Sequence, residues 1–208
     1  GVAELLQTLL AYARGVGVDA RWTVIQGNPR FFEITKRIHN HLYGSHGDGG
    51  PLGNAQRSDY EITLRENADG LRGLFGRDDY VLLHDPQTAG LIPVVRQVGA
   101  KVVWRCHVGI DTQNDASTEA WEFLRPYLEA ADACVFSRAR FAPAWIPRDR
   151  TFVIPPSIDP FSAKNEPMEP DEVTRVLTYV GLLTGERREP AHRCTHRRTG
   201  WSARRRNP

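Results

Sequence analysis

The sequence predicts an α/β domain built on a doubly wound parallel sheet, and three observations carry that prediction. Two short apolar runs, Tyr80 to Leu83 and Lys101 to Trp104, each stop abruptly in polar residues: His84-Asp85-Pro86-Gln87 after the first, Arg105-Cys106-His107-Val108-Gly109 after the second. The stretch between them, Thr88 to Gly99, has the length of a crossover helix joining parallel strands. Strand-like and helix-like segments also alternate along the rest of the chain.

Taken in order, Leu5, Leu6, Leu9, Leu10, Tyr12 and Ala13 have the spacing of one buried helical face. A helix that starts at residue 1 without a cap or a strand before it predicts that further sequence belongs upstream. Ala20 to Gln26 is β-branched and aromatic, and reads as a strand. Asn28-Pro29 supplies a cap and a first-turn proline for a helix running through Phe31, Phe32, Ile34, Ile38 and His41. Ser45 to Pro51 is a loop by composition. Ser58 to Phe75 reads as a helix with Leu64, Leu71 and Leu74 inward. After the central strand–helix–strand unit come a helix over Glu119 to Ala130, a strand at Ala133 to Ser137, a short helix at Phe141 to Ile146 and a strand at Thr151 to Ile154. Pro160 to Pro170 is linker-like, and Asp171 to Leu183 reads as a helix capped by Asp171. The predicted organisation is therefore one lobe over residues 1–165, a linker and helix over 166–185, and a tail over 186–208.

Composition separates body from tail. The 208 residues carry 40% apolar and 25% charged side chains, as an ordinary globule does. The net charge is +2, but residues 186–208 hold eight arginines against Glu186 and Glu189. Removing them from the 27 basic and 25 acidic residues leaves 19 and 23, a body of net charge −4. A mildly acidic body argues against a nucleic-acid partner. No apolar run is long enough to cross a bilayer, and no secretory leader opens the chain. Cys106, Cys134 and Cys194 are unpaired by spacing, which favours a reducing, cytoplasmic location. The tail has almost no aliphatic residues with which to offset its ordering entropy, so it is predicted to be disordered.

Ligands of open parallel sheets bind beyond the carboxyl ends of the strands. His84, Asp85, Arg105 and His107 would share that rim. Their chemistry suits a polyhydroxylated ligand, with a carboxylate accepting from hydroxyls and the imidazoles and Gln87 both giving and accepting. Asp85 can also be read as the cap of the crossover helix at residues 87–98, which need not exclude ligand binding. Gly109, after the second strand, permits close approach of a ligand. Cys106 and His107 point to opposite strand faces, which argues against a thiol nucleophile with its base, and Cys106 reads as core. Trp22, Trp104, Trp121 and Trp145 read as core too. No metal-ligand spacing joins His84-Asp85 to His39, His41 or His46, so no metal site is predicted. Neither a dinucleotide fingerprint nor a phosphate-binding P-loop occurs. Gly1-Val2-Ala3-Glu4, at a helix start, can present backbone N–H groups to an anion or hydroxyl.

The motifs GVAE, ITKRIHN, LHDPQTAGL, VVWRCHVGID, WEFLRPYLEAAD, VFSR and IPPSIDPFSAKN, in that order, resemble the trehalose-forming glycosyltransferases over residues 1–184. The resemblance implies a retaining enzyme of glycosyltransferase family 4 with the two Rossmann-like lobes of the GT-B fold, of which this chain would be the N-terminal, acceptor-side lobe. It implies transfer of glucose from a nucleoside-diphosphate glucose to free glucose, giving trehalose. The ligands would be glucose or trehalose and the nucleotide sugar, with no tightly bound cofactor, no membrane, and a divalent metal implied by no motif. A homo-oligomer is compatible. By position in the motifs, Asp85 and His107 would contact the reacting sugars, and Gly1 would lie near donor phosphate and acceptor. His84, Gln87 and Arg105 would be secondary sugar-binding groups. Against the family pattern, a strand before GVAE and the nucleotide-binding lobe after Gly181 are not found, and the arginine-rich tail reads as a change of reading frame. A non-catalytic sugar-binding module, an inactive truncated product and, more distantly, a metal-dependent hydrolase are the competing expectations.

Overall fold

The structure is a computed structural model that describes residues 2–157, 165 and 167–185. Gly1 and the arginine-rich tail at 186–208 lie outside the described residues, as do most of the linker-like residues 160–170. Residues Leu9–Pro156 form one compact unit, and the described residues outside it belong to a second.

The first unit holds four parallel strands: β1 (Tyr80–His84), β2 (Lys101–Cys106), β3 (Ala133–Phe136) and β4 (Thr151–Val153). The order β1-β2-β3-β4 follows the chain in one direction. A doubly wound sheet reverses its strand order at a switch point, and no reversal occurs among the described strands. The sequence expectation is thus met as a parallel α/β sheet, compatible with a Rossmann-like lobe, but not as a double winding. Ala20 to Gln26 is not a strand. The backbone of Gln26 pairs instead with a side chain: its N–H donates to Asn67 Oδ1 at 2.7 Å and its carbonyl accepts from Asn67 Nδ2 at 2.8 Å. β1 is left at the sheet edge, with Tyr80 79% and Leu82 46% exposed.

Helices α2 (Pro29–Leu42), α3 (Asn54–Leu71), α4 (Ile92–Val98) and α5 (Asp115–Leu128) pack around this sheet. α2 starts as its sequence predicts, with the Asn28 side chain accepting from Phe31 N–H at 2.9 Å and Pro29 in the first turn. α2 stops at Gly44, whose φ of 81° suits glycine; Gly44 N–H and Ser45 N–H bond back to His41 and Asn40 carbonyls, closing a Schellman turn. α5 begins with a reciprocal cap between Asn114 and Ser117. The crossover between β1 and β2 is split, a 3-10 turn (Pro86–Leu91) preceding α4. The predicted helix at Phe141 to Ile146 reduces to one 3-10 turn at Ala139–Phe141.

Tyr60 sits at the centre of the core, stacked on Phe31 and edge-on to Phe123. Its fully buried hydroxyl donates to the Pro86 carbonyl at 2.7 Å and accepts from Gly90 N–H at 2.9 Å, so it ties the 3-10 turn to α3. Trp104 and Trp121 are buried as expected, whereas Trp22 is 39% exposed because the segment around it has no sheet to join.

α1 (Val2–Gly15) is the expected N-terminal helix, although Leu9 and Tyr12 are half exposed. In the second unit α6 (Pro170–Tyr179) starts with Pro170, and Asp171 does not cap it because it already lies inside the first turn. The helix ends four residues before the expected Leu183. Gly181, at φ 83°, turns the chain, and its N–H and that of Leu182 bond back to Thr178 and Leu177.

Candidate functional site

The register of β1 and β2 sets His84 opposite Arg105, so the polar residues that follow both strands emerge together. Asp85 is the first of them, and its backbone is unusual. At φ 61°, ψ 177° it occupies a region that is nearly glycine-only, and it is the one non-glycine residue with positive φ among the described residues. Holding it there costs on the order of 1–3 kcal/mol. Three bonds impose the conformation: Asp85 N–H to the Arg105 carbonyl (2.8 Å), Trp104 Nε1–H to the Asp85 carbonyl (3.1 Å) and Thr88 N–H to the same carbonyl (3.2 Å), while the Thr88 hydroxyl holds the preceding His84 carbonyl at 2.8 Å.

The strained backbone aims the carboxylate across to β2 rather than down the crossover. No cap bond forms to the 3-10 turn, so the capping reading of Asp85 is overturned. Instead Asp85 Oδ1 accepts from His107 N–H at 2.8 Å, and both carboxylate oxygens lie 3.1 Å from His107 Nδ1. On the other side of the ring, Arg105 Nε donates to His107 Nε2 at 2.9 Å. A guanidinium has no lone pair to offer. Nε2 must therefore be the acceptor and Nδ1 must carry the proton, which fixes a neutral Nδ1–H tautomer. Arg105 also donates to the Ile154 carbonyl at 3.0 Å, reaching across β3 to the end of β4. The result is a partly buried chain, Asp85–His107–Arg105, along the carboxyl ends of the strands, ending on the exposed Ile154, with Asp85 and His107 side chains only 15% and 17% exposed.

His84 stacks on His107, ring centroids 5.3 Å apart and planes within 9°. Burial first, then the neighbouring His107, depresses its imidazole to about 4, so it is neutral at ordinary pH. Its Nδ1 is buried and has no hydrogen-bond partner, a polar atom left unsatisfied. Burial likewise lowers the Arg105 guanidinium against the pull of Asp85. Gln87 lines an open cleft of about 630 Å³ together with Pro29, Phe32, Glu33, Thr35, Lys36 and His39. The His39 imidazole is lowered, chiefly by burial, then by Lys36, while Asp85 opposes both.

Of the predicted site residues, His84, Asp85, Arg105 and His107 form one contiguous cluster, Gln87 lies in the adjacent cleft, and Gly1 lies outside the described residues. Gly109 does not admit a ligand. A Cβ there would meet Phe141 Cγ at 2.3 Å, so its bareness accommodates a side chain of the protein itself. Cys106 is fully buried, bonds the Val108 carbonyl, and burial raises its thiol far above the nucleophilic range. Sequence reasoning missed Lys36, Glu33 and His39 as cleft residues. Their spacing on α2, three residues apart, puts them on one helical face, and only the fold shows that the face borders Gln87. Among the described residues, the side chains grouped closely enough to share one cation are His41, His46 and Glu119, on α2, its following loop and α5 rather than on the strand ends. No helix among the described residues is long and apolar enough to cross a membrane.

The model of the trehalose synthase N-terminal domain matches residues 1–143. This chain belongs to the trehalose synthase family. It is 37% identical over 177 residues to the trehalose synthase of Pyrococcus horikoshii, covering 85% of this chain and 41% of that one. To the trehalose synthase of Rubrobacter xylanophilus it is 33% identical over 188 residues, covering 88% and 43%. A more distant likeness, 25% identity over 217 residues, joins it to the trehalose phosphorylase of Pleurotus pulmonarius, of which it covers 28%. The chain thus spans about two fifths of the length of the trehalose synthases it matches. The match includes β1, β2, α5 and the whole strand-end cluster.

Proposed function

We propose that this chain is the acceptor-side lobe of a GT-B glycosyltransferase that joins glucose from a nucleoside-diphosphate glucose to free glucose, giving trehalose with retained anomeric configuration. The observation that supports it best is the partly buried Asp85–His107–Arg105 chain at the strand ends, within the segment matched by the trehalose synthase family. Asp85 has carboxylate lone pairs left over to accept from a sugar hydroxyl. His107 would exchange its Arg105 bond for one to a second hydroxyl, and His84 and Gln87 would complete a hydroxyl-binding wall. Gly1 would stand near donor phosphate and acceptor.

In the reaction, the bond from C1 of the donor glucose to the diphosphate breaks and a bond from C1 to the acceptor hydroxyl oxygen forms on the same face. The acceptor proton passes to the departing phosphate. Such chemistry asks the protein for positioning and charge stabilisation, not for a nucleophile, which agrees with a cluster whose one thiol is buried and inert. The donor would be held by sequence that follows in the longer relatives, in an enzyme of the cytoplasm with no tightly bound cofactor.

The test is a titration of this chain with glucose and with trehalose, followed by thermal unfolding. A ligand that binds the folded state raises the midpoint. A rise in the native chain that is lost in both Asp85→Ala and His107→Ala supports the reading. An equal rise in the native chain and in folded variants places sugar binding elsewhere and contradicts it.

A further inference from the structure

We propose a second site, independent of the sugar-binding reading: a divalent transition-metal site of the zinc type, held by His41, His46 and Glu119. His41 is 1% exposed, near the end of α2. Its Nε2 lies 3.3 Å from the His46 carbonyl, to which only an Nε2–H can donate. Nδ1 then presents a lone pair. That atom is buried, has no hydrogen-bond partner, and faces Glu119 Oε2 at 3.4 Å. Two lone-pair-bearing atoms this close repel unless a cation lies between them. Two donors on a zinc ion with bonds of about 2.0–2.2 Å and tetrahedral angles stand roughly 3.4 Å apart. The gap has the length of one edge of a zinc coordination polyhedron. His46 supplies the third ligand, with all three donor atoms within 4.8 Å of one another. His46 is exposed at the surface, and its ring already packs edge-on against that of His41, centroids 5.1 Å apart.

The ligands are also oriented as metal ligands are. Such histidines usually donate the second ring N–H to a carbonyl or carboxylate, as His41 does to His46. The other Glu119 oxygen, Oε1, accepts from Leu52 N–H at 3.3 Å. The loop carrying His46 is pinned independently of any metal: Arg37 grips Asp48 through two bonds of 2.8 Å and donates to the Pro51 carbonyl at 2.7 Å. Asn114 Nδ2 donates to the Gly44 carbonyl at 2.9 Å, locking the start of α5 to the end of α2. Two imidazoles and one carboxylate, with a fourth position for water, favour Zn²⁺, Co²⁺ or Ni²⁺ over Mg²⁺ or Ca²⁺. A bound ion would clip the loop after α2 to α5.

Cobalt(II) added to the metal-free, untagged chain tests the site, since tetrahedral Co²⁺ absorbs visibly. The expected result is one equivalent bound, displaced by Zn²⁺, with affinity reduced at least about tenfold in both His46→Ala and Glu119→Gln. Both positions are at the surface, so the variants are expected to fold, and their thermal transitions check this. His192, Cys194 and His196 in the tail are competing ligands. No cobalt signal, or one untouched by these two substitutions but removed by Cys194→Ser, overturns the proposal.

Discussion

Asp85→Asn is close to isosteric, yet the structure predicts that it creates a conflict no rearrangement of protons can resolve. The asparagine carbonyl can still accept from His107 N–H. Its NH2 then faces His107 Nδ1–H, donor against donor. Moving the imidazole proton to Nε2 only transfers the conflict, because Arg105 Nε–H already points at that atom from 2.9 Å. One hydrogen bond to a charged group is lost, worth about 1.5–3 kcal/mol. The buried guanidinium of Arg105 also loses the carboxylate that favours its charge, for a total of roughly 3 kcal/mol. For a chain of this length that lowers the midpoint by roughly 6–12 °C. Asp85→Gly relieves the strained backbone, worth about 1–3 kcal/mol, but also leaves His107 N–H without its acceptor, at about 1–3 kcal/mol, so it should lie within about 1 kcal/mol of Asp85→Asn. Urea unfolding of the three proteins measures both differences. An Asp85→Asn protein within 0.5 kcal/mol of the parent (about the scatter of a neutral surface change) would refute the tautomer argument.

Three further outcomes follow from the same geometry. His84 titrates near 4 when folded against 6.5 unfolded, so the unfolded chain holds the proton more tightly. Its contribution is complete above 6.5 and is lost as pH falls toward 4; a half-buried ring reduces the limit of roughly 3 kcal/mol to about 2. Urea unfolding at pH 7 and pH 4.5 should show that slope flattened in His84→Gln. Tyr60→Phe strands the Pro86 carbonyl and Gly90 N–H in the core, at a cost of roughly 2–4 kcal/mol by calorimetry. Gly109→Ala forces Phe141 aside and should cost about 1–3 kcal/mol in denaturant midpoint without altering sugar binding.

The strand-end cluster was legible in the sequence because two short apolar runs with abrupt polar ends, a crossover's length apart, are local signals. So was the Asn28-Pro29 helix start, whose cap and proline act within one turn. What could not be read were facts of pairing at a distance. Ala20 to Gln26 has strand composition, but Asn67, 41 residues away, takes the backbone groups of Gln26. Gly109 invited a ligand until Phe141 was seen to fill its space. Asp85 precedes a proline as a cap does, yet its positive φ turns the carboxylate to His107, 22 residues on. His41 and Glu119 are 78 residues apart in sequence and meet only because α2 packs on α5.

The most direct test of the sugar-site account is nitrogen-15 NMR of the histidine side chains, with and without glucose. The account predicts that His107 carries its proton on Nδ1 with an unprotonated Nε2, and that glucose shifts the His107 and His84 ring signals together. A proton on Nε2 in the free chain, or glucose binding that leaves both rings unmoved, would contradict it.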